Sequence, residues 1–120
     1  MKALVHSKNS VKLFGGKIDD YIKLHTWMDS TKSSTAKFYH RAILHTTFGI
    51  FLGEQVFGEY LTNSDGDMVS VRDVLEQHVK EDCIGKIPTI DDWLKNLPVE
   101  DWMVGKGMKR YIEEQGLHYG

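Results

Sequence analysis

The stretch from Thr31 to Phe57 constrains the fold more than any other part of this chain. Phe38, Ala42, Ile43, Leu44, Phe48, Ile50, Phe51, Leu52, Val56 and Phe57 would put apolar groups on more than one side of a helix. Such a helix has to be covered on several sides, so the spacing predicts one long, central, well-buried helix. Asp29-Ser30 supplies an N-cap signal before it and Gly58 ends it.

Shorter elements surround this segment. Residues Ala3 to Phe14 read as a short helix stopped by Gly15-Gly16. A second helix runs roughly from Ile18 to Met28, with Tyr21, Leu24, His25 and Met28 on one face. Beyond Gly58, the runs Glu59 to Thr62 and Met68 to Val71 flank Asn63-Ser64-Asp65-Gly66-Asp67. An Asp-Gly between β-prone runs predicts a hairpin, which must lean on the helices to persist. Asn63, Asp65 and Asp67 begin like a calcium loop, but the glycine sits at the wrong offset and the closing glutamate is missing. Ser70-Val71-Arg72-Asp73 opens a helix to about Cys83, and Thr89-Ile90-Asp91-Asp92 opens a short one closed by Pro98. A last helix is expected from about Lys106 to Gln115, followed by a frayed tail over residues 117–120. The fold expected is mainly α: one compact helical domain over residues 1–120, built around one long central helix, with one small β-hairpin.

Composition narrows the function classes. A hydrophobic fraction of 41% in 120 residues supports a real core in a single domain. A net charge of -2, from 15 basic and 17 acidic residues, lacks the electrostatic footprint of a nucleic-acid binder. Cys83 is the one cysteine, so no disulfide forms within the chain, and its place at a helix C-terminus disfavours a thiolate nucleophile. Met1 to His6 is too short an apolar stretch for a signal peptide, and Gly49, Gly53, Glu54 and Gln55 interrupt Phe48 to Phe57 too often for a membrane span. A cytoplasmic location without membrane contact is expected. Trp27, Trp93 and Trp102 are assigned to the core, and the strings Glu81-Asp82, Asp91-Asp92 and Glu113-Glu114 to solvated helix faces.

The chemistry lies in the histidines. His25 stands four residues before Asp29, and His78 four before Asp82, so each pair shares a helical face. A histidine and a carboxylate on one turn make half a site for a divalent metal such as zinc, and the two turns together supply four ligands. Arg41 shares a turn with His45 and is placed to hold a phosphate or carboxylate oxygen. His45 or Glu54 is the candidate acid–base group. Against this stand blander assignments. Asp29 is well placed to cap the long helix. His78 follows the apolar stripe of Val71, Val74 and Leu75, where a hydrogen-bonded core histidine is the commoner occupant. His40 and His45 lie about 140° apart on a regular helix, too far to face one ion.

Taken together, several strings resemble a known family. They are His40-Arg41-Ala42 with His45 five residues on, Gly49-Ile50-Phe51-Leu52, Thr62 to Gly66, Val71-Arg72-Asp73-Val74 running into Glu76-Gln77-His78-Val79, then Glu81-Asp82, Ile87-Pro88-Thr89 and Asp92-Trp93. They are similar to a family of short phage and bacterial proteins known only as a domain of unknown function, over roughly residues 6 to 94. The resemblance implies no activity, and points to a phage or prophage setting. Two functional expectations follow. The first is an accessory or interaction module that binds a host protein or a small anionic ligand, its histidines forming a buried polar network. The second is a metal-dependent hydrolase or lyase acting on a phosphoester or nucleotide, with His25, Asp29, His78 and Asp82 as ligands.

Overall fold

Caps and glycines cut the chain into short pieces. The structure, a computed structural model, describes residues 1–35 and 37–116. In chain order it contains α1 (Ala3–Phe14), α2 (Ile22–Met28), α3 (Arg41–Leu44), α4 (Thr47–Phe57), β1 (Tyr60–Thr62), β2 (Met68–Ser70), α5 (Val71–Asp82), α6 (Ile90–Leu94) and α7 (Asp101–Glu114). The chain is therefore mainly helical with one small antiparallel hairpin, in which Leu61 faces Val69 across the ladder. Ser70 accepts the Asp73 amide at 3.3 Å to start α5, and Thr89 and Asp92 cap α6 reciprocally. The last helix begins earlier than expected and is broken at Gly105 (φ 66, ψ 176). The expected frayed tail, residues 117–120, lies outside the described residues.

The single helix expected from Thr31 to Phe57 is not formed. The segment is divided into 3-10 turns at Ser30–Ser33 and Lys37–His40, the one-turn α3, and α4. Two local effects break it. Thr31 Oγ1 donates to the His40 carbonyl at 2.9 Å and Ser33 Oγ to the Ser30 carbonyl at 3.0 Å, bonds that compete with a helical ladder. Thr46 then adopts an extended conformation (φ -144, ψ 164), and its hydroxyl accepts the Gly49 amide, starting α4 afresh.

The central position falls instead to α5. Val71, Val74, Leu75 and Val79 are fully buried along it, and it packs against α1, α2, α4 and the hairpin. Each such side chain contributes about 1.5–3 kcal/mol through burial. Tyr21, Leu24 and Met28 of α2, with Leu44, Ile50 and Val69, complete the apolar core. Gly53 lets α4 approach α5 closely, since a Cβ there would collide with Leu75 Cδ1. The outer side of α4 is left uncovered, with Phe48, Phe51 and Val56 about half exposed. Trp102, expected in the core with Trp27 and Trp93, is 76% exposed. Among the described residues no helix is long and apolar enough to cross a membrane.

One feature of the packing runs against amphipathic logic. Helix α1 buries His6, Ser7 and Ser10 completely, while Leu4 and Leu13 stay exposed. Its polar face turns inward because α2 and α5 also present polar groups there. The core thus has an apolar half and a polar half.

Candidate metal centre

The polar half is assembled from four places in the chain. Helix α5 contributes His78 and, one turn later, Asp82. Asp29 follows the last residue of α2, and His45 occupies the break between α3 and α4. Asp82 Oδ2 lies 2.8 Å from His45 Nε2 and 3.2 Å from His78 Nε2. Asp29 Oδ1 lies 3.3 Å from His78 Nε2 and 3.7 Å from His45 Nε2. One donor atom from each of these four residues falls within 4.8 Å of all the others. A tetrahedral centre with bonds of about 2.0–2.1 Å holds its donors about 3.3–3.4 Å apart. The four distances bracket that value.

A chain of hydrogen bonds orients His78. Gln77 Nε2 donates to the His6 carbonyl and to Glu81 Oε1, both at 2.9 Å, which leaves its carbonyl oxygen facing Ser10. Ser10 therefore gives its single proton to Gln77 Oε1. His25 Nε2, 2.7 Å from Ser10 Oγ, must then donate to it, and the other nitrogen of a neutral His25 is an acceptor. His78 Nδ1, at 2.9 Å, supplies the proton to it. The pattern assigns a proton to His78 Nδ1 and points Nε2 at the two carboxylates. His6 repeats the arrangement: Nδ1 donates to Glu81 Oε1 at 2.7 Å, while Nε2 lies 3.2 Å from Asp82 Oδ1. That contact is too poorly aligned to count as a hydrogen bond, and His6 Nε2 is buried without a partner. His78 Nε2 also hydrogen-bonds Asp29 Oδ1 at 3.3 Å, a bond it makes only with a second proton on the ring, and a metal at that position would take the place of this proton. A ring nitrogen committed to a partner on one side and a donor site on the other is the arrangement metal-ligating histidines use.

Electrostatics at the centre follow from burial and company. Burial alone pulls His78 down, but its hydrogen bonds to Asp29 and Asp82 outweigh it and hold its pKa above the ordinary value. His45 is lowered, because burial and repulsion from His78 outweigh its contact with Asp82. His25 is pushed down to about 3 by burial, then by the neighbouring His78 and His6, and so stays neutral. Burial would raise Asp82, yet the imidazoles of His45, His6 and His78 hold it well below the carboxylate range. His6 and His78 stack with centroids 3.8 Å apart, so protonating both would set two cations face to face. One divalent cation between the carboxylates would balance them without that repulsion.

A family model described as "Domain of unknown function (DUF6915)" matches residues 1–103. The chain belongs to the DUF6915 family. The match is longer at both ends than the resemblance over residues 6 to 94, and it includes every side chain of the cluster. No curated protein and no solved structure gives a significant match.

Within this DUF6915 domain, the residues expected at a site are brought together unequally. His78 and Asp82 meet as their spacing requires. Asp29 caps nothing with its side chain, which turns inward instead. His25 makes no bond to Asp29; its ring is held by Ser10 and His78 and orients a ligand. His45, expected as an acid–base group, sits among the donors. Arg41 reaches Asp82, with Nη1 donating to its carbonyl at 3.2 Å and Nη2 4.0 Å from Oδ1. Glu54, partly buried on α4, makes none of the bonds that hold the cluster. The Glu81-Asp82 string is not a solvated face, since the side chains are 21% and 2% exposed. His40 and His45 do approach, with centroids 5.6 Å apart, because the helix that would separate them is broken. Sequence reading missed His6, Ser10, Gln77 and Glu81. The available signal was the i, i+4 pair of His6 and Ser10 beside a polar run on α5.

Proposed function

We propose that this protein binds one divalent transition metal per chain, zinc being the best-matched ion, through Asp29, His45, His78 and Asp82. The observation that carries the reading is the set of four donor-to-donor distances between 2.8 and 3.7 Å. Two imidazoles and two carboxylates suit zinc, which accepts a tetrahedral set of nitrogen and oxygen donors. Four protein donors make a closed centre, which contributes folding energy. The metal would join α2, the α3–α4 junction and α5 at one point.

A second reading has one observation in its favour. Arg41 and Asp82 also line a surface groove of about 300 Å³, so one edge of the centre adjoins solvent. A metal there would lower the pKa of a coordinated water if one carboxylate withdrew, the requirement for hydrolysis of a phosphoester.

Elemental analysis of protein purified without added metal tests the first reading. Close to one equivalent is expected, with a rise in melting temperature on adding zinc to chelator-treated protein. Metal-free protein that gains no stability from zinc, manganese or nickel would reassign the cluster to a buried network of ion pairs.

A further inference from the structure

The groove beside the centre has its own chemistry. Two cations, Arg41 and Lys86, and two carboxylates, Asp82 and Asp92, line it together with Pro88 and Trp93. Arg41 is underused where it lies. Nη1 makes one bond, to the Asp82 carbonyl, Nη2 makes a loose ion pair, and Nε is buried without a partner. A guanidinium with most of its five donors free is built for an oxyanion. Lys86, 61% exposed, reaches over the same space and lies 3.7 Å from Asp92. Asp92 is itself occupied as the reciprocal cap of α6, accepting the Thr89 amide at 2.9 Å. Trp93 donates its indole N–H to the His45 carbonyl at 3.1 Å, which fixes its ring as a rigid wall tied to the centre. Ile84, 98% exposed at φ +53, is the left-handed residue that ends α5, where the Gly85 amide reaches back to the Lys80 carbonyl at 2.8 Å.

We propose that this groove binds a small organic phosphate, with Arg41 gripping the phosphoryl oxygens, Lys86 closing over them, and Trp93 and Pro88 meeting the organic part. The proposal rests on the metal reading in one respect. Asp82 faces the same groove, and its charge opposes an anion unless the centre absorbs it. Phosphate affinity should therefore be higher with metal bound.

The experiment is calorimetric titration of inorganic phosphate into the full chain, zinc-loaded and freed of excess zinc, and again after chelator treatment. Wild-type protein should bind phosphate with a change in tryptophan fluorescence that Trp93→Phe removes. Arg41→Gln should weaken binding tenfold or more while zinc stoichiometry stays unchanged, and Arg41→Lys should recover part of it. Lys86→Gln, at an exposed position that does not hold the fold, should weaken binding about threefold. Phosphate binding that is absent from well-folded, zinc-loaded protein, or equal in wild type and both Gln variants, overturns the groove. Arg41-dependent binding in a protein that takes up no zinc would keep the groove and remove the metal reading. Should Arg41→Gln fail to fold, Lys86→Gln and the fluorescence of wild type decide.

Discussion

The hairpin corner and the end of α5 are both buried polar junctions that tie distant parts of the chain, yet they are satisfied to different degrees. At the hairpin, Asn63 is 4% exposed and uses every hydrogen-bonding site it has. Its carbonyl oxygen accepts the amides of Asp65 and Asp67, and its amide donates to the Phe14 carbonyl and the Tyr21 hydroxyl. Asp20 beside it accepts the amides of Lys17 and Ser64, which lower its pKa. At the end of α5 the pairing is uneven: Asp82 accepts from the Met1 ammonium and from His45, and Asp29 accepts from His78, while Nε2 of His6 and Nδ1 of His45 are buried without partners. A junction whose donors and acceptors match is complete as protein. One that leaves buried ring nitrogens unpaired beside two carboxylates still has a place for a cation.

Substitutions can break that comparison. The largest effect is expected from Asp82→Ala, which strips a shared partner from His6, His45 and His78. It should lower stability by about 3–5 kcal/mol and abolish metal retention, read by chemical denaturation and elemental analysis. Stoichiometric metal in that variant would place the centre elsewhere. His25→Ala removes no ligand but frees the His78 ring, so zinc affinity should fall about 10–100-fold in competition with a chelator. Asn63→Ala supplies the contrast: a loss of about 1–3 kcal/mol, with zinc affinity untouched. If Asn63→Ala weakened zinc as much as His25→Ala, the two junctions would not be distinct. Gly66→Val should cost about 1–2 kcal/mol, because Gly66 holds φ +85 in the loop, while no neighbour lies within 4 Å of a Cβ.

The mildest test is pH, followed by thermal melts of chelator-treated protein. His78 is raised in the folded state, so its contribution is present below the unfolded value near 6.5 and is lost as pH rises through the folded value. His25, His40 and His45 are lowered, so theirs is lost as pH falls below that same value. Stability without metal should therefore peak near neutrality. Zinc-loaded protein should instead grow more stable as pH rises from 6 to 8, because zinc displaces the His78 proton. Parallel curves with and without zinc would remove His78 from the centre.

How much of this was legible in the sequence depends on the range of the signal. Ser70 and Thr89 accept amides three residues on, and glycines follow α1 and α5. The end of α1, both ends of α5 and the start of α6 were therefore readable, while α6 ends at Leu94, ahead of the expected stop at Pro98. The i, i+4 spacing of His78 and Asp82 was readable for the same reason. The Thr31–Phe57 helix was misread because apolar content was weighed above the competing hydroxyls of Thr31, Ser33 and Thr46, which act just as locally.

By itself, then, the sequence determined the capped ends of α1, α5 and α6, the hairpin between α4 and α5, and which residue types have electron pairs to offer. Tertiary packing decided how those residues are used. Asp29 had two outlets, capping the next turn or entering the core, and the imidazoles of His45 and His78 drew it inward. His25 is turned away from Asp29 because Ser10 of α1 holds its ring, while a break in the helix brings His45 beside Asp29 and Asp82. Neither choice can be read from spacing. The direction of a side chain at a helix end is set by what packs against it, and here those partners come from residues dozens of positions away.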